Sequence, residues 1–130
     1  MTPLLFLAIA AAGGVGATAR FCVDGLVRSR LGDAFPFPFG TMIVNVSGSL
    51  LLGLVTGLAM NHLLAPEWTL VLGSGLLGGY TTFSTASFET VRLIQARRYL
   101  AALFNGIGML GVSVTAAALG LWLGLAPGQL

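Results

Sequence analysis

The side chains best suited to chemistry in this chain are hydroxyls and amides set inside apolar sequence. Residues 78–87 read Gly-Gly-Tyr-Thr-Thr-Phe-Ser-Thr-Ala-Ser. Two adjacent glycines weaken a helix. Thr81, Thr82, Ser84, Thr85 and Ser87 then supply five aliphatic hydroxyls. Lipid cannot hydrogen-bond a freed backbone carbonyl, so an interrupted helix at membrane depth survives only inside protein or against a wet cavity. Transport proteins place ions and substrates at such interruptions. The chemistry such an interruption suggests is the placing of an ion or substrate.

Other polar groups lie at helical spacing. Thr41, Asn45 and Ser49 fall at i, i+4 and i+8, one face of a helix, with Thr56 near it. They read either as helix–helix glue or as a polar track that stands in for water around a passing solute. Asn105 and Ser113 stand eight apart and can share a face. Arg20 and Asp24, at i and i+4, read as an ion pair or as an anion-attracting group with its orienter. Glu89 and Arg92 read as a structural helix pair. His62 has no Cys or His neighbour in sequence, so it does not read as a metal ligand. The single cysteine, Cys22, excludes an intramolecular disulfide and reads as a packing residue. No Ser-His-Asp set, paired intramembrane carboxylates or phosphate loop emerges, so the chain does not read as an enzyme.

The elements that must position these groups follow from composition. The chain has 130 residues, 56% of them hydrophobic and 8% charged, against about 25% charged in soluble domains. Its mean hydropathy is +0.95. It holds no lysine, and its six basic residues are all arginine. A helix needs about 20 mostly apolar residues to cross the hydrocarbon. Four segments qualify: Pro3 to Val27, Gly40 to His62, Glu67 to Ile94 and Tyr99 to Ala126. The predicted fold is therefore an all-α integral membrane protein with four transmembrane helices, the third broken, in a single domain over residues 1–130. Residues 3–19 lack a basic leader and read as a retained helix, not a cleaved signal. Gly32 to Pro38, Leu64 to Glu67 and Gln95 to Arg98 form the connections. Trp68, Tyr99 and Trp122 lie near predicted ends, where amphipathic rings favour the interface. Small residues four apart occur at Gly13/Ala17, Ser49/Gly53, Gly53/Gly57, Gly75/Gly79 and Gly120/Gly124. Such pairs let backbones approach closely, and here they predict tight packing and an oligomer.

Three strings together carry a resemblance: Gly14-x-Gly16-Ala17-x-x-Arg20, Gly40-Thr41-x-x-Val44-Asn45-x-x-Gly48, and Gly78-Gly79-Tyr80-Thr81-Thr82-Phe83-Ser84-Thr85. In these strings, and in length and span order, the chain resembles the CrcB/Fluc fluoride channels. The resemblance implies an antiparallel, dual-topology-type dimer with two pathways that export fluoride passively and lower its cytoplasmic level. It implies the cytoplasmic (inner) membrane of a bacterium or archaeon, and no nucleic-acid partner. It implies a structural Na⁺ at the dimer centre on the backbone carbonyls of Gly78 and Thr81. The implied ion pathway holds Asn45 as an N–H donor, Phe83 with its positive ring edge, and Arg20, with Thr41 and Ser84 beside them. Asn105 and Ser113 match a polar line on the fourth span.

The chain departs from that pattern at one place. A second phenylalanine normally follows the first by three residues, and here that position is Ala86. Phe88, two residues on, points about 200° away on a helix. The arginines are also placed unevenly. Arg28 and Arg30 flank the first connection, and Arg92, Arg97 and Arg98 flank the third. The positive-inside rule then puts both connections in the cytoplasm, which predicts a single orientation and a heterodimer with an oppositely oriented paralogue. Two alternatives differ in class. A small multidrug transporter needs a first-span carboxylate, and residues 3–19 contain no Asp or Glu. A non-conducting structural subunit of a paired channel needs only the helix glue.

Overall fold

The computed structural model describes residues 2–31 and 36–126. The described residues are helical with short links and contain no strand. Helix α1, Pro3–Leu31, runs one turn past the expected end at Val27. Arg28 and Arg30 sit in that last turn, where cations oppose the negative end of the helix dipole. Of the first connection, residues 32–35 lie outside the described residues.

Helix α2, Phe39–Met60, begins after Pro38. It stops short of His62 because His62 turns left-handed, at φ 57°. The His62 N–H then donates to the Ala59 carbonyl (3.0 Å) and the Leu63 N–H to the Leu58 carbonyl (3.0 Å). This is the paired closure that commonly ends helices, usually on glycine.

Helix α3 covers 66–80. Pro66 and Glu67 open it, and Leu70–Leu77 are wound wider, as π-helix. Thr81 and Thr82 are extended, with ψ 162° and φ −151°, ψ 125°. Helix α4, Phe83–Gln95, follows, capped by the Thr82 hydroxyl accepting from the Thr85 N–H at 3.2 Å. It closes like α2, with Arg97 left-handed at φ 58°. Helix α5 runs Tyr99–Leu125, with π-helical turns at Phe104–Gly108. Among the described residues α1, α2 and α5 are each long and apolar enough to cross a membrane.

Two close helix pairs hold the bundle. In the first, α1 lies on α3: a Cβ on Gly16 would overlap the Leu76 carbonyl, and one on Gly79 the Gly13 carbonyl. In the second, α2 lies on α5. A Cβ on Gly53 would overlap the Ala117 carbonyl, one on Gly120 the Leu50 carbonyl, and one on Gly57 would sit 2.5 Å from the Leu121 carbonyl. Side chains are absent where backbones touch, and dispersion supplies the attraction that hydrophobicity cannot supply in lipid. The small-residue pairs are thus used inside one chain. The seam ends at Asn61, whose Nδ2 donates to the Gly124 (3.1 Å) and Leu125 (2.7 Å) carbonyls. Large apolar side chains such as Phe6, Phe21 and Leu110 point outward, as lipid permits.

Candidate functional site

The extended residues at 81–82 define the site. A continuous helix would give the Thr82 N–H to the Gly78 carbonyl. Instead Thr82 N–H donates to Asn45 Oδ1 (2.8 Å), and Asn45 Nδ2 donates back to the Thr82 carbonyl (2.8 Å). One primary amide therefore satisfies both backbone groups of one residue. Nδ2 also donates to the Met109 sulfur at 3.2 Å. Thr81 keeps its helical bond, N–H to the Leu77 carbonyl (2.9 Å), and its hydroxyl donates to the same oxygen (2.9 Å).

One face of α2 makes this possible. Gly40 leaves room for the Asp24 carboxylate, and Gly48 for the Thr81 methyl and the Tyr80 ring. Val44 between them is fully buried. Thr41 is buried and donates its hydroxyl to Glu89 Oε1 at 2.9 Å. Ser47, not Ser49, reaches the interruption, its hydroxyl 3.0 Å from that of Tyr80.

Arg20 reaches from α1 to the same point. Its Nη1 donates to the Thr81 carbonyl at 3.1 Å. Among the described residues it does not pair with Asp24, which instead meets Arg28 at 3.0 Å. A cleft of about 290 Å³ is lined by Arg20, Asp24, Thr41, Thr82 and Thr85, among others. Arg20 and Thr41 thus share one cavity, with Asn45 bonded to its wall at Thr82.

Asn105, Met109 and Ser113 form one line on α5, spaced four apart. Asn105 is 1% exposed, and its Nδ2 donates to the Ala86 carbonyl (3.2 Å) and the Thr90 hydroxyl (2.9 Å). Three buried oxygens in this region have no protein partner among the described residues: Asn105 Oδ1, Ser113 Oγ and Glu89 Oε2. Buried polar atoms are almost always paired, so a run of unpaired ones needs a reason such as water or an ion.

Phe83 and Ser84 are not in the cleft. Phe83 is 87% exposed, and the Ser84 hydroxyl lies 3.3 Å from that of Thr82 on an exposed surface. Phe88 does not approach the site either; its ring carries the Arg92 guanidinium at 5.7 Å, a cation–π contact. Gly78 is exposed, as Phe83 is. Its carbonyl does not receive the Thr82 N–H, which Asn45 holds.

Glu89, which the spacing pairs with Arg92, faces Thr41 across 48 residues of sequence. Its register carried the signal, since it lies two turns beyond Thr82 and α4 turns one face to α2. Thr41→Val would leave both Glu89 oxygens without a protein partner. That variant should unfold with about 1–3 kcal/mol less stability, the range for stranding a buried acceptor, as read from denaturation in detergent.

Fold and site together define a small, all-helical, multi-pass membrane protein with polar groups threaded between apolar helices. The profile of the family described as CrcB-like protein, Camphor Resistance (CrcB) matches residues 7–124, and the chain belongs to that family. It is 59% identical over 124 residues to "Fluoride-specific ion channel FluC 1" of Leifsonia xyli subsp. xyli, covering 95% of this chain and 89% of that one. It is 45% identical over 122 residues to "Fluoride-specific ion channel FluC 2" of Cutibacterium acnes, covering 93% and 98%. It is 43% identical over 114 residues to "Fluoride-specific ion channel FluC" of Shewanella amazonensis, covering 88% and 90%.

Proposed function

We propose that the chain forms a fluoride-selective channel, moving ions passively and transforming none, with 66–95 as a broken third span among four. The names of its relatives point to fluoride. The observation that carries the reading is the Asn45–Thr82 clamp beside a polar cleft. Fluoride is a small, strongly hydrated acceptor. A path for it must replace water with O–H and N–H donors. Arg20, with N–H groups beyond the one on Thr81, and the Thr85 hydroxyl offer them in the cleft, whose wall Thr41 also forms while giving its own O–H to Glu89, and Ser113 offers one on α5. Of Asn45's two N–H groups, one is on a carbonyl and the other on a thioether, a weak acceptor. The second is the one an anion can take. Purified chains in liposomes should release fluoride rapidly. Chloride efflux at the same rate would overturn the selectivity.

Two copies inserted in opposite directions complete the reading. The exposed Gly78 carbonyl and the Thr81 carbonyl suit a hard cation, which unwound backbone oxygens commonly bind. Two carbonyls per chain are too few, so a second copy would complete the set for a structural Na⁺. Bound there, the cation would fix the interruption by neutralising its carbonyl dipoles. The Arg20 bond to Thr81 uses one lone pair of that oxygen and leaves the other. Phe83, so exposed on one chain, would line the path once the partner is present. Phe83→Ile should cut fluoride efflux roughly tenfold, a loss of about 1.4 kcal/mol at the barrier, while the dimer stays assembled in size-exclusion. Undiminished efflux would remove Phe83 from the path.

A second reading concerns the partner. Ala86 and the one-sided arginines favour pairing with an oppositely oriented paralogue, together with which this chain conducts. Cysteine labelling of the termini from each side tests orientation. Equal labelling from both sides would defeat the paired reading.

A further inference from the structure

A groove of about 780 Å³ opens where α2 and α5 begin, away from the cleft at Thr82. Its walls include Phe39, Met42, Leu100 and Phe104, and Arg97, Arg98 and Tyr99 also line it. No acidic residue lines it among the described residues. Both helices start at this level, so the arginines lie at headgroup depth. Met42 and Phe104 lie about one turn or more deeper, roughly 5–8 Å along the helices. The groove is therefore cationic at its mouth and apolar below.

Most of the guanidinium donors of these arginines are not used by the fold. Arg98 gives one Nη1–H to the Pro36 carbonyl, out of five N–H donors on a guanidinium. The Arg97 guanidinium makes no hydrogen bond or ion pair among the described residues. Yet Arg97 occupies the left-handed position that closes α4, with its N–H on the Ile94 carbonyl at 2.9 Å and that of Arg98 on the Leu93 carbonyl at 2.9 Å. Glycine adopts that conformation without steric strain. Arginine holds this position at a conformational cost that glycine would not incur.

We propose that this groove binds an anionic phospholipid. Its phosphate sits on Arg97 and Arg98, which match phosphate geometry with two parallel N–H bonds, and one acyl chain lies along Phe39, Met42, Leu100 and Phe104. The volume falls in the range of small-molecule sites, about 300–1,000 Å³. Basic pockets between membrane helices bind anionic headgroups in this way. The site is independent of the ion path and would stand if that path were assigned otherwise.

The test is lipid binding to the detergent-purified full chain, read by native mass spectrometry with phosphatidylglycerol and phosphatidylcholine. Phosphatidylglycerol should bind at least about tenfold more tightly. Each arginine near a headgroup is worth roughly fivefold, so Arg97→Gln with Arg98→Gln should weaken phosphatidylglycerol about thirtyfold. Arg97→Gly should bind about fivefold more weakly while its unfolding midpoint holds or rises, since the strain is gone. Ala101→Trp keeps both arginines but fills the groove, and should lose phosphatidylglycerol too. Inorganic phosphate at equal concentration should not displace the lipid. The proposal is overturned by equal binding of the two lipids, by parent-like binding in Arg97→Gly, or by displacement with phosphate. It is also overturned if Ala101→Trp separates the dimer but leaves lipid binding intact, which would mean a second copy fills the groove.

Discussion

Liposomes carrying Asn45→Asp chains should lose fluoride at least about a hundredfold more slowly than those carrying the parent chain. The clamp explains the size of the effect. Asn45 both donates to and accepts from Thr82, each at 2.8 Å. A carboxylate can still accept the Thr82 N–H but sets a second oxygen against the Thr82 carbonyl. Stranding a buried carbonyl costs about 1–3 kcal/mol, and more beside a charge. The same charge repels the permeating anion. A barrier raised by about 3 kcal/mol slows passage roughly a hundredfold. Asn45→Ala separates the two roles: it should lower the unfolding midpoint through the lost clamp and slow efflux through the lost donor. Parent-rate efflux in Asn45→Asp would take Asn45 off the path altogether.

Gly53→Ala, a single added methyl, should destabilise the bundle by about 3 kcal/mol or more, the upper end for overpacked cores. The new carbon would overlap the Ala117 carbonyl, and backbone cannot swing aside as a side chain can. Two helices must separate instead, and the Asn61 bonds to α5 at the end of the seam loosen with them. Gly25→Ala is the control. Nothing lies within 4 Å of a Cβ there, so the same change should hold or raise stability, by up to about 1 kcal/mol from backbone entropy. Equal midpoints for the two variants in detergent denaturation would refute backbone contact between α2 and α5.

The polar face of α2 was legible because Thr41 and Asn45 share a helical face and polar groups inside an apolar span must hydrogen-bond. Which partner each would meet was not legible. Helical periodicity fixes a face, but not what lies opposite, so Thr41 found Glu89 and Asn45 found the Thr82 backbone. Ser49 fitted the same face, yet Ser47 made the contact, because Tyr80 reaches it from the side. Arg20 and Asp24 had the spacing of a pair. Tertiary structure offered Arg20 a carbonyl with no helical donor, and Asp24 took the other partner at helical spacing, Arg28 one turn on in the same helix. The apolar run ends at Val27, yet α1 continues through Arg28 and Arg30, since cations are favourable at a helix C-terminus. The strained closures at His62 and Arg97 carried no sequence signal, since such positions announce themselves only when the residue is glycine.

The two glycine seams differ in when they can close. The α1–α3 pair is complete once Tyr80 has left the ribosome. The α2–α5 pair must wait until Gly120 and Gly124 are made, 63 and 67 residues after Gly57. At about 5–20 residues per second that delay is roughly 3–13 seconds. Throughout it, the bare face of α2 lies open in the bilayer with Asn61 unmet. Chains cut short before Gly120 would stay in that state, displaying a stripe of naked backbone to the bilayer.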